Sequence, residues 1–78
     1  GVNIYPNPTL GKFSIKLGNK KMKVLVEIVN VVGEIIYSAN SVDVDNLSLD
    51  LNLQDGVYFV KLINVELQKM SVSKLIKQ

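Results

Sequence analysis

The chain has no histidine, no cysteine, no tryptophan and no arginine, and each gap removes a class of chemistry. Without histidine the commonest general base and metal ligand is missing. Without cysteine there is no disulfide, no thiolate nucleophile and no cysteine-type zinc site. A secreted domain can do without disulfides, so this gap leaves the compartment open. Ser14, Ser48, Ser71 and Ser73 have no histidine to activate them. A nucleic-acid binder shows a dense basic face with arginine and stacking aromatics, whereas aromatics are 6% of these residues. No apolar run reaches the ~18 residues a membrane helix needs. No catalytic, cofactor-binding or metal-binding residue is assigned, and the residue types speak against an enzyme.

What is present is apolar: 78 residues, 47% of them hydrophobic, with mean hydropathy +0.24. Such a chain is too apolar for disorder and forms one domain over residues 1–78. At this size roughly 60% of the unfolded surface is buried. It opens on Gly1, without an initiator methionine or a basic-then-apolar leader, and so reads as a piece excised from a longer protein. Charge is segregated, with five lysines and no acid in residues 1–23, six acids and no lysine in 24–56, and four lysines against Glu66 after that, for a net +2. Complementary strands and a solvated surface account for this pattern.

The stretch with most to say about fold is 53–62. Asp55-Gly56 is a turn signal, since glycine accepts φ > 0 and aspartate bonds its own backbone. The β-branched and aromatic run after it fits a packed, pleated surface. Tyr58 sits where immunoglobulin-type sandwiches place a tyrosine whose hydroxyl turns back onto upstream backbone, two residues before the core position Val60.

Elsewhere the period is two. Residues 2–5 form a first strand, ended by a rigid linker at 6–9, because each proline removes a ladder donor. Residues 11–17 put Phe13, Ile15 and Leu17 inward. A turn at 18–21 leads to a strand over 22–30, with Met22, Val24, Val26 and Ile28 inward. Leu25 and Val29 make its other face half apolar and keep dimerisation open. A turn with Gly33 at φ > 0 precedes a strand over 34–39, in which Ile35/Tyr37 and Ile36/Ser38 compete for the inner face. An acidic loop over 40–46 leads to a strand over 47–51. After 53–62 come a turn at 64–66 and a last strand over 67–77, with Met70 and Val72 inward and a bulge before Ile76. Seven short antiparallel strands with no helical period predict an all-β, Ig-like β-sandwich.

Other constellations are weak. Asp43, Asp45 and Asp50 raise calcium, but an EF-hand loop needs a glycine at its sixth position and a terminal glutamate, and both are missing. A glycosidase needs paired carboxylates in a cleft that a sandwich this small has little room for. Asn46-Leu47-Ser48 matches a glycosylation triplet, a three-residue pattern common by chance.

Four stretches, in order, resemble the type A C-terminal sorting domains of proteins exported by the type IX secretion system of Bacteroidetes-type bacteria. Residues 4–9 with Gly11-Lys12-Phe13 are similar to the family's "YPNP…G-x-F" opening. Residues 26–37, through Asn30 and Gly33, are similar to its "N-x-x-G-x-x-(V/I)" turn and strand. Residues 53–62 match "L-x-x-G-x-Y-x-(V/L)-x-(V/L)". Residues 74–78 look like its short basic-apolar ending. Glu34 stands where glutamine or lysine is common, and Gln54-Asp55 where a proline often precedes the glycine.

The resemblance implies an address label on a larger cargo protein, recognised by the outer-membrane translocon after folding in the periplasm. It also implies removal by a sortase-like surface protease and release of the cargo to the cell surface or medium. Cofactors, nucleic acid and small-molecule substrates have no part in that role. Pro6, Asn7, Pro8, Gly11, Asn30, Gly33, Gly56 and Tyr58 are then structural motif residues, and Lys74, Leu75, Ile76 and Lys77 the expected translocon contacts. A last strand at a sheet edge offers backbone groups for strand addition. Deleting 74–78 is expected to abolish export and leave the remaining fold largely intact. The rival, a surface adhesion or carbohydrate-binding module on the same fold, requires an exposed aromatic row or a metal loop.

Overall fold

Seven strands account for the chain in a computed structural model that describes residues 2–18 and 21–78, with the side chains of 41–43 left aside. They are β1 (Asn3–Tyr5), β2 (Lys12–Lys16), β3 (Met22–Asn30), β4 (Ile35–Val44), β5 (Asn46–Asp50), β6 (Gly56–Asn64) and β7 (Lys69–Lys77). One sheet has three strands in the order β1-β2-β5 and the other four in the order β4-β3-β6-β7, all paired antiparallel. The result is the expected Ig-like sandwich.

The alternation in β2 buries Phe13 and Ile15 and leaves Lys12 and Lys16 in water, with Leu17 buried just beyond the strand. From the other sheet, Val24, Val26 and Ile28 of β3 and Tyr58, Val60 and Leu62 of β6 meet them in one apolar cluster. Ile15, Ile28 and Leu75 are fully enclosed, and burying a side chain of this size contributes roughly 1.5–3 kcal/mol.

Turn chemistry fixes the ends of the strands. Asn30 Oδ1 accepts from the Val32 and Glu34 N–H groups at 3.1 and 2.9 Å, and its Nδ2 donates to Glu34 Oε1 at 2.8 Å. Gly33, at φ +89°, closes that turn in a region costly to any residue with a Cβ. The Tyr58 hydroxyl donates to the Gln54 carbonyl at 2.7 Å, the backward hydrogen bond anticipated for this position.

Three expectations require correction. The acidic segment 40–46 is not a loop: β4 runs to Val44, β5 starts at Asn46, and the chain changes sheet at a bend on Asp45. Extended backbone whose donors and acceptors pair across β3 overrides the turn-prone composition. Met70 and Val72 point outward, 61% and 52% exposed, and Leu75 is the buried residue of β7. The register decides this, because Leu75 stands opposite Tyr58 and so shares its inward side. Ile76 has no bulge before it, since β6 and β7 pair without a shift from Gly56↔Lys77 to Asn64↔Lys69. The irregularities lie between β3 and β4, and the one at Ile28/Val29 resolves the competing facings there. Tyr37 packs on the core, and both Ile35 and Ile36 are exposed. Of the predicted turn at 18–21, Asn19 and Lys20 lie outside the described residues.

Candidate recognition edge

β7 is an outer strand of the four-stranded sheet, so one side of its backbone has no strand neighbour. The odd-numbered residues 69–77 stand opposite the even-numbered residues of β6, from Lys69↔Asn64 to Lys77↔Gly56. The even-numbered residues of β7 turn their N–H and C=O groups away from the sheet.

At the end of the strand those groups are already taken. Asn7 Nδ2 donates to the Lys74 carbonyl at 2.7 Å, and the Ile76 N–H donates to Asn7 Oδ1 at 2.9 Å. Thr9 continues the contact: its N–H donates to the Ile76 carbonyl at 2.8 Å and its carbonyl accepts from Gln78 N–H at 2.9 Å. A parallel bridge, Thr9↔Lys77, results. The segment 6–9 is thus more than a spacer. Its two prolines could not donate to a ladder, but the side chain between them imitates a strand's hydrogen-bonding face.

Thr9 itself was not singled out by sequence. It is 1% exposed, donates from Oγ1 to the Lys12 carbonyl at 2.7 Å and accepts from Gly11 N–H at 3.0 Å. Its signal was only its place beside Pro8 in the "YPNP" stretch. Gly11 is required by a close approach, because a Cβ there would lie 3.0 Å from the Leu51 carbonyl oxygen, at φ +131°. Gly56, at φ +152°, opens β6. Of the motif residues, Asn7, held between Pro6 and Pro8, bonds the end of β7, while Asn30 and Gly33 form a separate turn.

The four expected contact residues divide by burial. Lys74 is exposed, Leu75 is fully enclosed in the core, and Ile76 and Lys77 are half-buried. Lys77 Nζ bonds Asp55 Oδ1 at 3.0 Å, but Asp55 is 80% exposed, and ion pairs in such surroundings contribute little. Deleting 74–78 therefore removes a core leucine together with every partner of Asn7 and the strand partners of Thr9. It cannot leave the remaining fold intact.

Among the described residues, the groups on β7 without a partner are the N–H and C=O of Met70 and Val72 and the N–H of Lys74, and these three residues carry exposed side chains. Such a row can pair with an extended segment of another chain. Among the described residues no cluster of three His, Cys, Asp or Glu is placed to hold a metal ion, and the Asp43 side chain lies outside them. The exposed aromatic residue is Tyr5, and a single ring is not the row a carbohydrate-binding face requires.

Residues 3–78 match the family model described as the secretion system C-terminal sorting domain. A ulvan lyase of Nonlabens ulvanivorans is 32% identical over 65 residues, which is 78% of this chain and 11% of the lyase. The chain's full length also superposes, at TM-score 0.82 and 20% identity, on 11% of PorZ, described as an essential bacterial surface component of the type-IX secretion system of Porphyromonas gingivalis. At that identity the likeness speaks for the fold. The chain spans about a ninth of either protein. The match over nearly its whole length shows that the chain belongs to the family of secretion-system C-terminal sorting domains, the type IX export signal carried by a larger secreted protein.

Proposed function

We propose that the translocon reads this label at β7, by pairing a strand of its own with the free row at residues 70–74 while Lys74 and Ile76 present their side chains beside it and Lys77 stays on Asp55. The supporting observation is the division of the strand's open side: its end is sealed by Asn7 and Thr9, and its middle is free. Leu75 serves by anchoring the strand in the core. Once the carrier reaches the cell surface or medium, the destination of this family's proteins, a sortase-like protease removes the domain by a cut near or before Gly1. The domain itself does no chemistry, and its partners are proteins.

Fusion of residues 1–78 to a periplasm-directed reporter tests the role, with surface delivery expected only when the translocon is intact. Val72→Pro tests the edge. The Val72 N–H faces away from β6, so proline there blocks strand addition without breaking the internal ladder. The purified variant is expected to melt within a few degrees of the parent while its reporter stays in the periplasm. Full export of Val72→Pro would sink the edge reading.

A further inference from the structure

Along the central strands β3 and β6 the outer face of the four-stranded sheet is largely apolar where an antiparallel sheet facing water is ordinarily polar, with Ser38, Asn40 and Lys74 exposed on the edge strands. Leu25 of β3 stands beside Ile63 of β6 in one cross-strand row, and Val29 beside Phe59 in another. Leu25, Ile63 and Phe59 keep part of their surface in water, and Val29 is covered. Between the two rows lies one charged row, Glu27 opposite Lys61. Both side chains are half-buried, and no ion pair within 4.0 Å joins them; among the described residues the one such pair is Lys77–Asp55.

We propose that this face binds a second copy of the chain about a two-fold axis that runs parallel to the strands between β3 and β6. That operation exchanges the two strands without changing their level along the axis. Each β3 residue is then laid over the residue of the partner's β6 with which it is already in register. Leu25 meets the partner's Ile63 and Glu27 meets the partner's Lys61, while Phe59 lies over the partner's β3 at the level of Val29, which is already covered within its own sheet. Each such contact occurs twice, as a self-complementary interface requires.

The charged row decides the occupant. A partner whose facing surface were apolar, or charged with one sign, would leave Glu27 or Lys61 desolvated and unmatched, which is costly. A second copy matches both. Four strands about 4.8 Å apart and nine residues long present roughly 500–600 Å², for a total near the ~1,000 Å² at which specific association begins. The dimer is accordingly weak, with a dissociation constant on the order of 10–100 μM.

Sedimentation velocity between about 1 and 500 μM tests this on the 78-residue chain. The parent is expected to pass from monomer to dimer, and E27K and K61E each to associate about tenfold more weakly or worse. An equimolar mixture of E27K and K61E is expected to regain parent-like association, because the mixed pair sets two lysines against two glutamates. That rescue separates an interface effect from a destabilised monomer, since each variant keeps its own like-charged neighbours in the mixture. If E27K fails to fold, L25K on the same face takes its place and is expected to be monomeric throughout. A parent that stays monomeric, single variants that associate like the parent, or a mixture without rescue would each overturn the proposal.

Discussion

The two sheets share one core but differ in what they show to water. On the three-stranded sheet the outward residues are Asn3 and Tyr5 of β1, Lys12, Ser14 and Lys16 of β2, and Asn46, Ser48 and Asp50 of β5. On the four-stranded sheet they include Leu25, Val29, Phe59, Ile63, Met70 and Val72. Apart from Tyr5, the first sheet carries hydrophobic residues on one face, the second on both. A strand with a single apolar face announces its orientation, because only one parity buries it. A strand with two apolar faces leaves its orientation to its neighbours.

β7 breaks the comparison most sharply, having apolar residues of both parities. Leu75→Ala is expected to lose about 3 kcal/mol, the middle of the range for a leucine deleted from a core. Met70→Ala, the same kind of truncation on the outer side, should fall within about 0.5 kcal/mol of the parent. Urea unfolding of both checks the pair, and equal losses would mean that β7 is not held in the register seen here.

Asn7→Ala tests where the two sheets are tied along the edge. The segment 6–9 leaves β1 of the three-stranded sheet and ends on the open side of β7 in the other. Removing the Asn7 amide deletes two hydrogen bonds and is expected to cost about 1–2 kcal/mol, at ordinary values for each. Hydrogen exchange gives a sharper reading: the Ile76 amide should lose protection while the Tyr58 amide, inside the sheet, keeps it. An Ile76 amide protected as before would show that β7 does not need the segment.

The same contrast explains how much the sequence told. β2, the inner face of β3 and the tyrosine at 58 were legible, because each rests on local rules: alternation, turn residues, and a hydroxyl that reaches four residues back. The facing of Met70 and Val72 was not, since both parities of β7 hold apolar residues and only the pairing with β6 chooses between them. The acidic composition of 40–46 suggested a loop, because local signals cannot show that strand β3 waits on one side. At the recognition edge, the "YPNP" stretch was conspicuous but its target was hidden. Asn7 finds its partners 67 and 69 residues away, and no periodicity reports a contact between the two ends of a chain.

The smallest expected effect lies on the polar face. Ser14 Oγ and Ser48 Oγ are 3.2 Å apart across β2 and β5, exposed to water, and a cross-strand pair of this kind contributes a few tenths of a kcal/mol. Ser48→Val removes that contact but supplies a β-branched side chain, which suits a strand by a similar amount. The two changes oppose each other, so stability should move by less than about 0.5 kcal/mol. One valine among Lys12, Lys16, Asn46 and Asp50 builds no continuous apolar patch, and the sedimentation profile should match the parent's. If Ser48→Val increased association, a single apolar residue would suffice to make this sheet sticky, and the distinction between the two outer faces would fail.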